Sequence, residues 1–370
     1  MRIVRLEVYG YELTYAHGAY GMSGERVIST LPSTVVRVVT DEGLEGWGEV
    51  CPLGSTYLPG FAEGARAALR ELLPPLLGLD PRDLAAIHRR MDSTLRGFAF
   101  AKSPVDIACW DLLGKATGLP LYVLLGGFHQ AWFPLYVAVP LRDPEEMAAF
   151  VQTQRAQGIR RFQLKIGTTP QEDAARVRTV LEAVGEDDVV IADANGAYRL
   201  YPAMLLARML DGLFQVLLEQ PCPTLAECRA VRRSSRLPMI LDEVVTDLRG
   251  ALAAARAGAT GINLKISKFG GLTGSRLVRD LAQELGLSLI IEDTWGGDLV
   301  TAATSHLAAS TRPEVLLAAS FMNDWVLEHI AGYTPRSQDG FGAPPPGPGL
   351  GVEVDRKHLE LLFATEGETA

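Results

Sequence analysis

A chain of 370 residues, 48% hydrophobic and 21% charged, can bury a large core, which excludes disorder and collagen-like structure. The formal charge of -9, with no block of consecutive basic residues, argues against a nucleic-acid partner. No stretch reaches the roughly 18 apolar residues of a spanning helix, and the four cysteines (Cys51, Cys109, Cys222, Cys228) lack CxxC spacing, so neither a disulfide framework nor a zinc knuckle is indicated. A cytoplasmic protein with no membrane partner is expected.

Residues 2–15 (RIVRLEVYGYELTY) and 34–41 (TVVRVVTD) alternate as strands do, and DEGLEG before WGEV predicts a hairpin. FAEGARAALRELLPPLLG, DLAAIHRRMDSTLRG and SPVDIACWDLLGKATG carry helical spacing, each closed by a glycine near its end. Residues 1–127 therefore read as a separate α+β unit.

From residue 134 short apolar runs alternate with helical patterns: LYVAV at 135–139, FQLKI at 162–166, VVIAD at 189–193, VLLEQ at 216–220, MILDE at 239–243, GINLKI at 261–266, LSLIIED at 287–293 and EVLLAA at 314–319. Lys165, Asp193, Glu219, Asp242, Lys265 and Asp293 mark successive run ends at steps of 28, 26, 23, 23 and 28 residues, the length of one strand, helix and two loops. Eight such units predict a barrel of parallel strands over 128–335, with its chemistry at the carboxyl ends of the strands. A doubly wound open sheet is the alternative, but LYVAVPLRDPEE lacks the glycine-rich fingerprint that fold usually shows. The segment 336–370, rich in Pro and Gly at SQDGFGAPPPGPGLG, reads as loop with a short terminal strand that packs back on the first unit.

Asp193, Glu219 and Asp242 end three successive strands, and carboxylates so gathered repel unless a cation sits among them. All-oxygen ligation suits Mg²⁺. A lone acid often ends a barrel strand because loops are polar; three at matched positions argue for a site. Asn195 and Glu243, neighbours of two of these, are candidates to orient the ligands. Only six of the 35 basic residues are lysines, so a lysine in an apolar setting needs a reason. Lys165 and Lys265 end strands that lie across an eight-strand ring from one another, and a desolvated lysine can serve as a general base. A snorkelling or merely ion-paired lysine is the alternative, which arginine would serve equally well. Lys268, three residues on beside Gly270 and Gly271, is read as solvated or as support for Lys265. No histidine ends a strand. A metal beside two opposed bases fits removal of a proton next to a carboxylate, because the metal stabilises the charge that develops.

These residues resemble the enolase superfamily, and within it the mandelate racemase and muconate lactonizing enzyme group. The matching pieces are GLEGWGEV, AKSPVDIACWDLLGKATGLPLYVLLGG, FQLKIG, IADANGAY, LLEQPC, LDEVV, INLKISKFGGLT and PGLGVEVD, spread over essentially the whole chain. The resemblance implies a (β/α)7β TIM-like barrel with an N-terminal α+β capping domain completed by the C-terminal tail. It also implies Asp193, Glu219 and Asp242 as Mg²⁺ ligands, Lys165 and Lys265 as acid/base catalysts, and a homo-oligomer. Loops near Tyr20 and Tyr57 would then close over a small-molecule carboxylate. The seventh strand ends in IIEDTWGGD without histidine, which matches the Lys/Lys members. Gln163, where many of those carry a second lysine, resembles members acting on proline betaines or hydroxyprolines.

Tyr20, Tyr57, Gln163, Asp293, Trp295, Asp298, Phe321 and Trp325 are the candidate substrate contacts, since aromatic faces plus a carboxylate suit a cationic amino group. Core filling is the competing reading for Trp295 and Phe321. The expected reaction is racemisation or epimerisation of an amino-acid derivative. Dehydration of a hydroxyproline or sugar acid, and muconate-type cycloisomerisation, use the same pair of lysines. A metal-binding scaffold without activity would lack a base or a ligand, and none is missing.

Overall fold

The computed structural model describes residues 1–367, so the last three residues of the expected 336–370 segment lie outside the described residues. The chain opens with the antiparallel strands β1 (Ile3–Thr14), β2 (Thr30–Thr40) and β3 (Glu45–Val50), followed by helices α1 (Ala62–Leu72), α2 (Leu84–Thr94) and α3 (Ala99–Thr117). Both faces of this sheet are covered. Leu6, Val8, Val36 and Val38 pack with Leu69, Leu72, Ile87, Val105 and Leu112 of the helices. Tyr9, Tyr11, Leu13 and Val35 share a core with the barrel. That double burial explains why the run from Leu6 to Tyr11 in β1 is buried at every position rather than at alternate ones. Helix α3 lies directly on β3, where a Cβ at Gly46 or Gly48 would stand 2.1 Å or 2.0 Å from a carbonyl oxygen of the helix.

The alternation read from the sequence then folds as β4 (Val137–Val139), α4 (Pro144–Ala156), β5 (Arg161–Lys165), α5 (Pro170–Leu181), β6 (Val189–Asp193), α6 (Leu200–Met209), β7 (Val216–Glu219) and α7 (Leu225–Ser234). It continues as β8 (Met239–Leu241), α8 (Leu248–Ala257), β9 (Gly261–Lys265), α9 (Leu272–Glu284), β10 (Ser288–Glu292), α10 (Asp298–Ala309) and β11 (Leu316–Ala319). The eight strands pair in chain order and in parallel. The ring closes where Leu135 bridges Ala319 and the Tyr136 N–H donates to the Ala319 carbonyl at 3.0 Å. This is the barrel of eight parallel strands that the spacing predicted, in the (β/α)7β form that the resemblance implied.

Two details differ from the expected runs. Leu135 only bridges and Tyr136 makes a single backbone hydrogen bond, so the first strand starts at Val137, and β8 stops at Leu241, before Asp242 and Glu243. The tail returns as β12 (Glu360–Glu366), antiparallel to β1 on the outer edge of the cap sheet. It covers an edge that would otherwise offer unpaired backbone groups. No helix among the described residues is long and apolar enough to cross a membrane.

Candidate active site

Strand register assembles the site. Lys165 of β5 is paired with Asp193 of β6, and Asp193 with Glu219 of β7, so three side chains lie on one rung. On β9, Lys265 is paired with Glu292 of β10. Because strand side chains alternate with period two, Gln163 shares the face of Lys165, and Asn263 that of Lys265. Gln163 donates to Glu219 Oε2 and Asn263 to Glu219 Oε1, each at 2.9 Å. Glu219 is thereby held at both oxygens and is fully buried.

Lysines take up the other two carboxylates. Lys165 Nζ lies 2.5 Å from Asp193 Oδ2, and Lys265 pairs with Asp242 and, at 2.9 Å, with Glu292. Lys268, read as solvated or as support for Lys265, is buried and acts on Asp242, the carboxylate that Lys265 also meets: its Nζ reaches Asp242 Oδ1 at 2.6 Å and the Asp242 carbonyl at 2.7 Å. Burial pulls the Lys165 and Lys265 ammonium groups toward lower pKa, but Asp193 beside the one and Asp242 beside the other outweigh it, so both are raised. The desolvation on which the sequence argument relied acts in the expected direction, and the carboxylates paired to these lysines outweigh it.

Among the described residues, no three carboxylates already close on one point. The donor set nonetheless fits a hard divalent cation. Burial, with Asp193 and Asp242 nearby, pushes Glu219 up to about 8, and burial with the same two neighbours pushes Glu243 up to about 7. The cluster thus gathers more carboxyl groups than its lysines can pair, and burial beside Asp193 and Asp242 pushes the surplus ones toward their protonated forms. Asn195 Nδ2 bonds Asp193 Oδ2 at 2.9 Å and Glu243 Oε1 at 3.1 Å. Asn195 Oδ1 and Glu243 Oε2 remain buried without a partner.

Both lysines line one pocket, with Gln163, Ala138 and Tyr136 on one side and Glu292, Asp293, Thr294 and Trp295 on another. The cap contributes Tyr20, Met22, Leu53 and Tyr57 to its wall. Tyr20 stands not in a loop but in a short ribbon, Tyr20–Met22 paired with Arg26–Ile28. Tyr57 donates to Asp242 Oδ2 at 2.9 Å. Trp295 meets Tyr15, Tyr20 and Trp325 edge-on at 5.8, 5.2 and 5.8 Å, forming an aromatic box.

Two expected substrate contacts are corrected. Asp298 opens α10 with its carboxylate turned to Asn323 Nδ2 at 3.0 Å and the Ala331 N–H at 2.8 Å, so it pins the segment after β11 and does not line the pocket. Phe321 packs edge-on against Phe133 at 5.9 Å and faces a separate cavity with Asp324 and Tyr333. Asp293 does line the pocket, yet its carboxylate accepts from the Ser267 hydroxyl and from the backbone N–H groups of Ser267 and Thr294. Burial pushes it up to about 6 despite those bonds. The sequence reading missed Glu292, Tyr136, Thr294 and Met322. Glu292 precedes the Asp293 that drew attention, and only its register with Lys265 singles it out.

Comparison with known proteins places these features in context. Residues 22–126 match the model of the mandelate racemase/muconate lactonizing enzyme N-terminal domain, and residues 146–358 that of the enolase C-terminal domain-like family. The chain is 43% identical over 356 residues to a cis-3-hydroxy-L-proline dehydratase of Roseibium aggregatum, covering 95% of this chain and 96% of the relative. It is 27% identical to an N-succinyl-L-Arg/Lys racemase of Bacillus cereus, covering 98% of each. A crystal structure of an enolase-superfamily member from Roseovarius nubinhibens, complexed with magnesium, superposes with a TM-score of 0.92 at 36% identity, covering 99% of this chain and 100% of that one.

Proposed function

We propose that this chain, which belongs to the mandelate racemase/muconate lactonizing enzyme family of the enolase superfamily, removes the proton α to the carboxylate of a small cyclic amino acid and expels a β-hydroxyl as water. The observation that carries this reading is Lys165 and Lys265 lining one aromatic-walled pocket from strand ends that face each other across the ring. One lysine, neutral, takes the α-proton. The other, as ammonium, delivers a proton to the hydroxyl on the opposite face as the C–O bond breaks, leaving water and a cyclic enamine. Epimerisation, placed first by the sequence argument, uses the same pair when no leaving group is present. The 43% identity to a hydroxyproline dehydratase supports elimination ahead of it.

Asp193, Glu219 and Asp242 would hold a divalent cation, which when bound supplies positive charge to the substrate carboxylate as negative charge develops there. Asp193 and Asp242 are the present partners of Lys165 and Lys265, so a cation held by these carboxylates would leave the lysines free to act on the substrate. Tyr20, Tyr136, Trp295 and Trp325 supply ring faces, and Glu292 a carboxylate, to a substrate ammonium.

The test is proton NMR in D₂O with Mg²⁺ on cis-3-hydroxy-L-proline, L-proline and proline betaine in parallel. The expected result is loss of the hydroxyproline C2 proton together with a dehydrated product. Deuterium uptake by proline or its betaine, with hydroxyproline untouched, would overturn elimination in favour of epimerisation. Lys165→Ala and Lys265→Ala should each abolish turnover, and full activity in either refutes the two-lysine assignment.

A further inference from the structure

A second cavity, of about 350 Å³, lies in the seam between α2 and α3 of the cap and the barrel segments that follow β8 and β9. That volume falls within the range of small-molecule sites, about 300–1,000 Å³. Ala99, Leu248, Phe269, Leu277 and Val278 form its apolar wall. The charged groups around it are His88, Asp92, Lys102, Asp247 and Lys268. Three of these are committed elsewhere. His88 Nε2 is 2.6 Å from the buried Asp106, Asp247 caps α8 through the Gly250 N–H at 2.7 Å, and Lys268 holds Asp242.

Lys102 differs. It is 5% exposed, and its ammonium donates at 2.7 Å to Asp92, whose side chain is 67% exposed. A buried ammonium requires an anion. Here the anion is a surface carboxylate that loses little by returning to water. A ligand carboxylate in its place keeps Lys102 paired, and burial of an attached apolar body against Phe269 and Leu277 supplies the net gain.

We propose that this seam is an accessory binding site for a small amphiphilic monocarboxylate, with the carboxylate on Lys102 and the apolar body on the Ala99, Leu248, Phe269 and Leu277 wall. The occupant touches Lys268, whose ammonium holds the Asp242 carboxylate and carbonyl, so the site borders the catalytic pocket through one side chain. The proposal does not depend on which reaction the pocket performs.

The probe is phenylacetate, titrated into the full-length protein by calorimetry and soaked into crystals. Leu277→Trp fills the cavity from a position that is 45% exposed, and Lys102→Met removes the ammonium. Each should weaken phenylacetate binding at least about tenfold, equivalent to about 1.4 kcal/mol, and Leu277→Trp should leave basal turnover unchanged. In crystals the probe's carboxylate should lie on Lys102. If Lys102→Met does not fold, Leu277→Trp decides alone. Equal affinity in Leu277→Trp, no binding at about 10 mM, or density for the probe only between Lys165 and Lys265 overturns the proposal.

Discussion

Gln163 and Asn263 each give an amide N–H to one oxygen of Glu219, and this pair shows what a single side chain decides in the site. If Glu219 is a cation ligand, its orientation is set by these two donors rather than by its own backbone. Gln163→Leu and Asn263→Leu should each lower Mg²⁺ affinity about 10- to 100-fold by calorimetry, as the loss of a partner behind a ligand usually does. Unchanged affinity in both would detach Glu219 from the ion. Asp242→Ala should bind Mg²⁺ more weakly still, because it removes a ligand outright. The lysines and acids were legible from the sequence because rare lysines and matched strand ends single them out. Asp298 and Phe321 were misjudged because position just past a strand end does not say which way a side chain turns.

At the scale of elements, the joint between the cap sheet and the β10–α10 turn controls the pocket wall. Glu49 of β3 is fully buried and accepts from the backbone N–H groups of Gly297 and Val300 at 3.0 and 3.2 Å, and from the Ser33 hydroxyl at 2.7 Å. Thr294 Oγ1 reaches back to the Cys51 carbonyl at 3.0 Å. A cap carboxylate thus anchors the first turn of α10, where helix amides and dipole favour an anion. The connection from β10 to α10, just ahead of that helix turn, carries Trp295. Glu49→Ala leaves those buried donors unpaired, at about 1–3 kcal/mol each, and should lower the melting temperature and raise KM for the pocket's substrate. An unaltered KM with a lowered melting temperature would make Glu49 structural only. Gly48→Ala should destabilise by about 1–3 kcal/mol in denaturant melts, because its Cβ would stand 2.0 Å from the Pro104 carbonyl oxygen of α3. The hairpin containing GLEGWGEV was visible in the sequence; the close approach of α3 that its glycines permit was not.

Across the whole molecule, His306 joins barrel and tail. Its Nδ1 accepts from the Tyr122 N–H at 3.3 Å, and its Nε2 faces the Leu350 carbonyl at 3.0 Å, an arrangement that needs the neutral ring. Burial lowers its pKa from 6.5 to about 4. The unfolded chain therefore takes up this proton first as pH falls. Stability from this group is complete above about 6.5 and declines below it, by about 2 kcal/mol at pH 5. Urea midpoints at pH 7 and pH 5 should show the decline in wild type and a smaller one in His306→Gln, whose amide can both donate and accept. Equal declines would remove His306 as the cause.

The sequence by itself determined the repeat of strand and helix, the eight-fold ring it closes into, and the acids and lysines at the strand ends. Those follow from covalent spacing: a step of 23 to 28 residues returns the chain to the same end of a parallel sheet each time. Only the tertiary structure decided which carboxylate each lysine meets, that Glu292 stands beside Lys265, that Asp298 and Phe321 turn away from the pocket, and that a seam remains between α3 and the barrel. These depend on register between strands and on contacts between segments far apart in the chain, which local period and composition do not encode.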